Sequence, residues 1–248
     1  MKKLLLALLL LLPLQSQAAR LFVASNSDRV VYAEQPAWTT QISISLWIYP
    51  TSLPTIGGVL MGLVSDNAST DNGRRVLTCL LNSGGTQRIY FSYHNVNFIL
   101  QDQYTDYTLT TGVWQHLAFT ADYTAHACKI YVNGVSQTTV GPNVADGPPT
   151  ISAGFPRVGN FYYAGTEAFF FDGRMAEVAI WQDVAVLNQS EVTALARGAR
   201  PDKVRINPTR YYPLEGWQTT EPDYGQFHLG TTSISGTSRV NGPPVLPR

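Results

Sequence analysis

Two carboxylates held about 5–5.5 Å apart can break a glycosidic bond with retention. On one strand they must stand at i, i+2 or i, i+4 to share a face. The sequence offers few such pairs. Asp172 and Glu177 are five apart and point to opposite faces of a regular strand. Asp102 and Asp106 are four apart, but QDQYTDY reads as a polar loop. Glu221 and Asp223 flank Pro222 in the tail, and Glu34, Asp66, Asp71 and Asp122 fall at strand ends or in loops. Solvated loop acids are the expectation, and no catalytic residue is assigned. A GxSxG elbow is missing, so nucleophilic ester chemistry has no footing. His94, His116, His126 and His228 form no HxH or HExxH pattern, which leaves zinc unsupported. His116, close to Trp114, is expected to be a strand residue satisfied by a hydrogen bond.

Recognition of a sugar makes a different demand: aromatic faces with a few polar groups fixed beside them. Two stretches have that character. One is Asn160-Phe161-Tyr162-Tyr163 with Glu167 shortly after; the other is Tyr93-His94-Asn95, with Tyr104, Asp106 and Tyr107 near in sequence. The competing reading is that these rings are ordinary half-buried strand residues with wet hydroxyls. The two cysteines, Cys79 and Cys128, both fall in expected strands. They permit one disulfide in an exported chain, or serve separately as small buried thiols.

The elements that would carry these residues are short, β-rich runs broken by turn signals. They are Leu21–Ala24, Arg29–Tyr32, Ile42–Tyr49, Val59–Val64, Arg75–Leu81, Arg88–Tyr93, Tyr107–Thr110, Trp114–Ala121, Ala127–Val132, Arg157–Phe161 and Phe169–Trp181, the last bent at Asp172-Gly173. Such spacing predicts an all-β sandwich or barrel. In ISISLWIY, Ile42, Ile44, Leu46 and Ile48 line one face, which should be core; the Trp47 end of the other face is expected to be covered as well. Asn133-Gly134 predicts a type I′ hairpin turn. One helix is expected, Gln189 to Arg197, with Asn188 as N-cap, Glu191 completing a capping box, Leu187 and Val192 as a hydrophobic staple, and Gly198 as the stop.

The first residues read as an export leader over 1–18. Lys2-Lys3 precede an apolar run from Leu4 to Leu14, and Ser16-Gln17-Ala18 supplies the small residues of a cleavage site. That run is too short to span a bilayer, and no later stretch is longer. A secreted or periplasmic location follows, with no transmembrane segment after leader removal. Charged residues make up 14% of the 248 and formal net charge is zero; losing Lys2 and Lys3 leaves about −2. With no basic cluster, nucleic acid is excluded as a partner. The sandwich is expected over 19–218 and an extended, weakly structured Pro/Gly-rich closing segment over 219–248. No glycan is expected on Asn67 or Asn188.

Four stretches carry a resemblance to the laminin-G-like, concanavalin A-like jelly-roll family: SISLWIYPTSLP at 43–54, GVWQHLAFTAD at 112–122, KIYVNG at 129–134, and FFFDGRMAEVAIWQDVAVLNQSEVTALARG at 169–198. The tail, with YYPLEGW, EPDYG and GPPV, resembles a subfamily of phage and environmental bacterial proteins. The resemblance implies a jelly-roll β-sandwich with one short helix on its C-terminal side. It says little about the ligand. Many relatives bind calcium through an acidic pair where this chain has Ala176-Glu177, and Ala176 offers no side-chain oxygen. The remaining calcium candidates are Asn26, Asp28 and Glu177; alternatively Asp28 caps a turn and Glu177 pairs with a neighbouring strand. The function expected is non-catalytic binding of a glycan or a cell-surface protein. The alternatives are a structural or adhesion role in a surface or virion assembly, and a glycan hydrolase or lyase.

Overall fold

A computed structural model describes residues 18–33, 35–36, 40–55, 57–64, 75–83, 85–94, 100–141, 153–163, 166–216 and 219–245. In chain order the strands are β1 (Ala18–Phe22), β2 (Arg29–Tyr32), β3 (Gln35–Pro36), β4 (Gln41–Pro50), β5 (Gly57–Val64), β6 (Arg75–Ser83), β7 (Thr86–His94), β8 (Leu100–Thr105), β9 (Gln115–Asp122), β10 (Ala127–Val132), β11 (Val135–Ser136), β12 (Ala153–Val158), β13 (Phe161–Tyr163), β14 (Thr166–Ala168) and β15 (Gly173–Gln182). Helices α1 (Gln189–Ala196) and α2 (Pro201–Val204) follow, then β16 (Arg210–Tyr212), β17 (Thr231–Ser235) and β18 (Ser238–Asn241).

All strands but β13 and β14, which pair only with each other, form two antiparallel sheets. The first runs β11-β10-β9-β4-β15-β1-β18, with β16 also on β15; the second runs β17-β2-β12-β5-β6-β7-β8, with β3 on β12. Between the sheets lies one apolar core, which holds Ile42, Ile44, Leu46 and Ile48 of β4 against Met61, Leu80, Ile89 and Phe91 of the second sheet. The other face of β4 is buried too. Ser43, Ser45 and Trp47 are covered, because α1 and the end of the chain lie over the outside of the first sheet. Leu187, Val192 and Leu195 pack there on Ala118, Tyr131, Ala179 and Trp181, and Val245 packs on Trp47 and Ala19.

Local signals hold where the chemistry is local. Asn133 and Gly134 both have positive φ, 49° and 82°, as a type I′ turn requires. Asn188 accepts from the Glu191 amide, and the Glu191 side chain accepts from the Asn188 amide, which completes the capping box. Gly198 stands at φ 90°, where a Cβ would lie 2.6 Å from the Pro244 carbonyl oxygen; the helix therefore ends directly beneath the closing segment.

Three regions differ from the sequence expectation. Residues 100–105 are strand β8 and not a loop, while Tyr107–Thr110 is not a strand. Gln101, Gln103 and Thr105 are the buried, inward members of β8, paired with Tyr93, Phe91 and Ile89. Polar side chains on the inward face erase the apolar alternation by which a strand is recognised. The 169–181 run forms strand only from Gly173, and 169–172 is a separate bent segment. The closing segment is more structured than expected: β17 pairs with β2 in the second sheet, and β18 with β1 in the first.

That closing segment is fastened by buried charge. Arg20 of β1 donates to Glu221 and, at 2.6 Å, to the Thr237 hydroxyl. Arg210 donates to Asp223 at 2.8 Å, with both side chains fully buried. Asp223 also accepts from the amides of Tyr211 (3.0 Å) and Gly225 (2.7 Å). A buried ion pair is tolerable only when its remaining oxygens are satisfied in this way.

Candidate functional site

At one end of the sandwich three loops enclose a cleft of about 520 Å³. They are the β1–β2 turn at Ala24, the β4–β5 connection at Ser52–Thr55 and Gly57–Gly58, and the bent 169–172 segment. The volume lies in the range of small-ligand sites. Backbone contacts set the third wall. The Val59 amide donates to the Phe169 carbonyl at 2.8 Å, the Phe171 amide to Gly159, and the Thr51 amide to the Asp172 carbonyl. Held this way, Phe171 is driven into the core, whereas Phe169 is left 38% exposed at the rim. Phe169 takes φ 54°, in the left-handed region. An aromatic residue there is an outlier that the surrounding structure must enforce, and such outliers gather at binding sites.

The polar equipment of the cleft is small. Ser52 Oγ donates to Asp172 Oδ2 at 2.8 Å. Among the described residues Asp172 Oδ1 has no hydrogen bond, so it remains open as an acceptor. Asp172 is the one charged side chain among the described lining residues; Ser52 and Thr55 contribute hydroxyls, and Leu53, Pro54, Phe169 and Phe170 contribute apolar wall.

The residues that the sequence offers for ligand binding do not line this cleft among the described residues. β13 pairs with β14, and Phe161 places β13 over the outside of the second sheet. Phe161 packs there against Val59, Tyr90 and Tyr104 and is only 3% exposed, so its ring is not available to a ligand. Asn160 is completely buried, with no hydrogen bond to either side-chain amide atom among the described residues. Glu167 is taken up by Arg29 at 2.6 Å and Arg157 at 3.2 Å. Tyr162 and Tyr163 stand on β13. Tyr93 is a core residue, edge-on to Tyr123 at 5.1 Å. His94 is the last residue of β7, and Asn95 lies outside the described residues. The same outer face does carry a ring stack, Tyr90 on Tyr104 at 5.0 Å, capped by Arg88, whose guanidinium lies 4.4 Å from the Tyr104 centroid and pairs with Asp106.

Among the described residues no group of three or more His, Cys, Asp or Glu side chains comes together that could hold a metal ion, and the calcium candidates have the following surroundings. Asn26 is exposed at the end of a single 3-10 turn. Asp28 is buried; its Oδ2 accepts from the Val23 amide at 2.9 Å and Oδ1 faces Gly236. Glu177 occupies a bulge of β15, at φ 53°, and accepts from the Tyr211 hydroxyl. Burial, reinforced by the Glu177 charge, raises the Tyr211 phenol well above its usual range, which keeps it a donor. Both carboxylates serve structure, one closing a turn and the other a strand junction; calcium needs six to eight oxygens converging on one point. Cys128 is a free thiol on β10, packed against the core, while Cys79 is on β6 of the other sheet. Of the two readings the sequence leaves open, the free Cys128 fits that of a separate buried thiol, and burial pushes it up to about 12, which disfavours the reactive thiolate.

His116 is fully buried on the outside of the first sheet. Its Nε2 is 2.9 Å from Ser45 Oγ, and it lies edge-on to Trp47. Burial lowers it to about 3, so it is neutral at physiological pH. A serine–histidine contact that no solvent reaches is a packing device and not a nucleophile. No described helix is long and apolar enough to cross a membrane.

Comparison with solved structures gives the same architecture. A candidate carbohydrate-binding protein from Bacteroides ovatus aligns with TM-score 0.67 and 18% identity over 95% of this chain; the chain spans 62% of that protein. The CBM40 module of a Ruminococcus gnavus IT-sialidase, bound to α2,3-sialyllactose, aligns with TM-score 0.50 and 18% identity over 64% of this chain and 84% of the module. Tailspike protein 2 of the Escherichia coli O157:H7 bacteriophage CAB120 aligns with TM-score 0.56 and 16% identity over 79% of this chain and 26% of the tailspike. No curated protein matches in sequence. A family model covers residues 24–193, from the cleft-lining Ala24 to the body of α1, and the chain therefore belongs to the concanavalin A-like lectin/glucanase superfamily.

Proposed function

We propose that the protein is an exported, non-catalytic carbohydrate-binding module whose ligand sits in the Phe169–Asp172 cleft. The observation that carries this reading is the half-exposed Phe169 ring, held in a left-handed backbone conformation beside a carboxylate with one open oxygen. An apolar ring face against sugar C–H groups, with a fixed acceptor for hydroxyls, is how concave sites recognise carbohydrate. The likeness to the Bacteroides ovatus and Ruminococcus gnavus proteins supports it. The binding, rather than cleaving, role is supported by the acid count. Glycoside hydrolysis uses two carboxylates, and Asp172 stands alone among the described lining residues. Export rests on the leader-like residues 1–18.

The test is an oligosaccharide array followed by calorimetry on hits, with the wild type and Phe169→Ala side by side. Binding weakened at least tenfold in the variant, with an unchanged melting temperature, is the expected result. Undiminished binding by the variant would move the site elsewhere. A second reading, adhesion within a surface or virion assembly, is favoured by the partial likeness to the tailspike; a protein partner in place of any glycan would support it.

A further inference from the structure

We infer that the cleft selects uncharged sugars and rejects acidic ones, so that its ligand is a neutral glycan and not a sialylated, uronic or sulfated one. The inference rests on the cleft being the glycan site, and it deepens that reading by naming the class of sugar.

The argument is one of charge and donor count. The cleft's one charged group among the described residues is the Asp172 carboxylate. A carboxylate only accepts hydrogen bonds. Ser52 already supplies one donor to Oδ2, and the open Oδ1 calls for another from the ligand. A sugar hydroxyl provides it; a sugar carboxylate or sulfate provides none and brings a second negative charge. Two like charges about 4 Å apart repel strongly wherever water is partly excluded.

Cationic help is not at hand. The recognition of an acidic sugar calls for an arginine or lysine aimed at the anion, ideally an arginine in a bidentate fork. No such side chain lines the described part of the cleft. Arg29, on the strand that follows the Ala24 turn, is held by Glu167 at 2.6 Å, and Arg157 shares the same carboxylate. Arg88 is held by Asp106 at 2.6 Å. Arg174, two residues beyond Asp172, is stacked over the Tyr49 ring at 4.5 Å. Arg29, Arg157 and Arg88 are thus held in ion pairs, and none of the four described guanidiniums lines the cleft.

The apolar side of the cleft points the same way. Phe169, Leu53 and Pro54 give a surface suited to the C–H face of a pyranose, and that contact gains nothing from charge. The predicted ligand lays a neutral ring against Phe169 and donates a hydroxyl to Asp172.

Matched oligosaccharide pairs test this: lactose against sialyllactose, and neutral glucans or galactans against their uronate-bearing counterparts, titrated at low and high salt. The expected result is binding of at least one neutral member, at least tenfold tighter than its acidic partner, with the gap narrowing in high salt as screening weakens the repulsion. Asp172→Asn keeps the shape and removes the charge. It should shrink the gap to threefold or less, with the melting temperature confirming that the fold is intact. Acidic glycans binding as well as neutral ones, and losing that binding in Phe169→Ala, would overturn the charge selection while leaving the carbohydrate reading standing. If glycans bind but Phe169→Ala and Asp172→Asn change nothing, the cleft is the wrong site and the selection fails with it. No binding by any member of any pair would overturn both.

Discussion

The cleft and the C-terminal seam both depend on carboxylates, and they use them in opposite ways. In the seam, Glu221 and Asp223 are buried, each facing an arginine and each also accepting from a backbone amide. In the cleft, Asp172 is half-buried, touched by one serine hydroxyl and open on its other oxygen. A charge that is fully engaged holds the fold; a charge left partly engaged is available to something outside it. The same sequence feature, an isolated acid in a turn-rich stretch, thus divides into structure and recognition according to what surrounds it.

The strongest way to break this comparison is to unpair the seam. Arg210→Ala leaves the Asp223 charge buried without its partner and should cost about 3–5 kcal/mol, read as a loss of urea midpoint. If stability hardly changes, the seam is not the clamp described. Next is the covered outer face of the first sheet, where His116 is held neutral. Its folded value is about 3, while an unfolded histidine takes a proton near pH 6.5. The contribution of this residue is therefore whole above about pH 6.5 and drains as pH falls from there toward about 3. Over two pH units it should amount to roughly 2 kcal/mol, and His116→Gln should flatten that part of the stability profile. An unaltered profile would mean that the covering of this face opens readily. The cleft should respond differently: Phe169→Ala is expected to lower glycan affinity at least tenfold and leave the melting temperature within about 2 °C. A large loss of stability would show that Phe169 belongs with the structural group. The smallest effect is expected at the cap of α1, where Asn188→Ala should cost about 1 kcal/mol and leave sugar binding untouched.

Much of the scaffold could be read from residues that speak to their near neighbours. The alternation of Ile42, Ile44, Leu46 and Ile48, the Asn133-Gly134 turn and the Asn188–Glu191 box needed only a few residues to declare themselves. The failures have a common cause in distance and direction. β8 was hidden because Gln101 and Gln103 face inward where apolar residues are the usual signal. Phe161 and Tyr93 were expected to meet a ligand, yet their rings pack on residues remote in sequence, and aromatic character alone does not separate a platform from a plug. The cleft itself was missed because FFFD looks like continuous strand. The available hint was the bend at Asp172-Gly173, which has to send consecutive phenylalanines in different directions. Asn26, Asp28 and Glu177 are grouped through the family resemblance alone, because nothing in their spacing along the chain brings them together.

The pairing of β1 with β18, and the contact of Arg20 with Thr237 across 217 residues, reach into the order of events during synthesis. The earliest strand of the sandwich has no lasting neighbour on one side until residues 238–241 have left the ribosome. Until then both sheets present unsealed margins ready to pair with any passing strand. A topology so rich in remote pairings folds slowly, and the arrival of β17 and β18 is the step that covers β2 and β1.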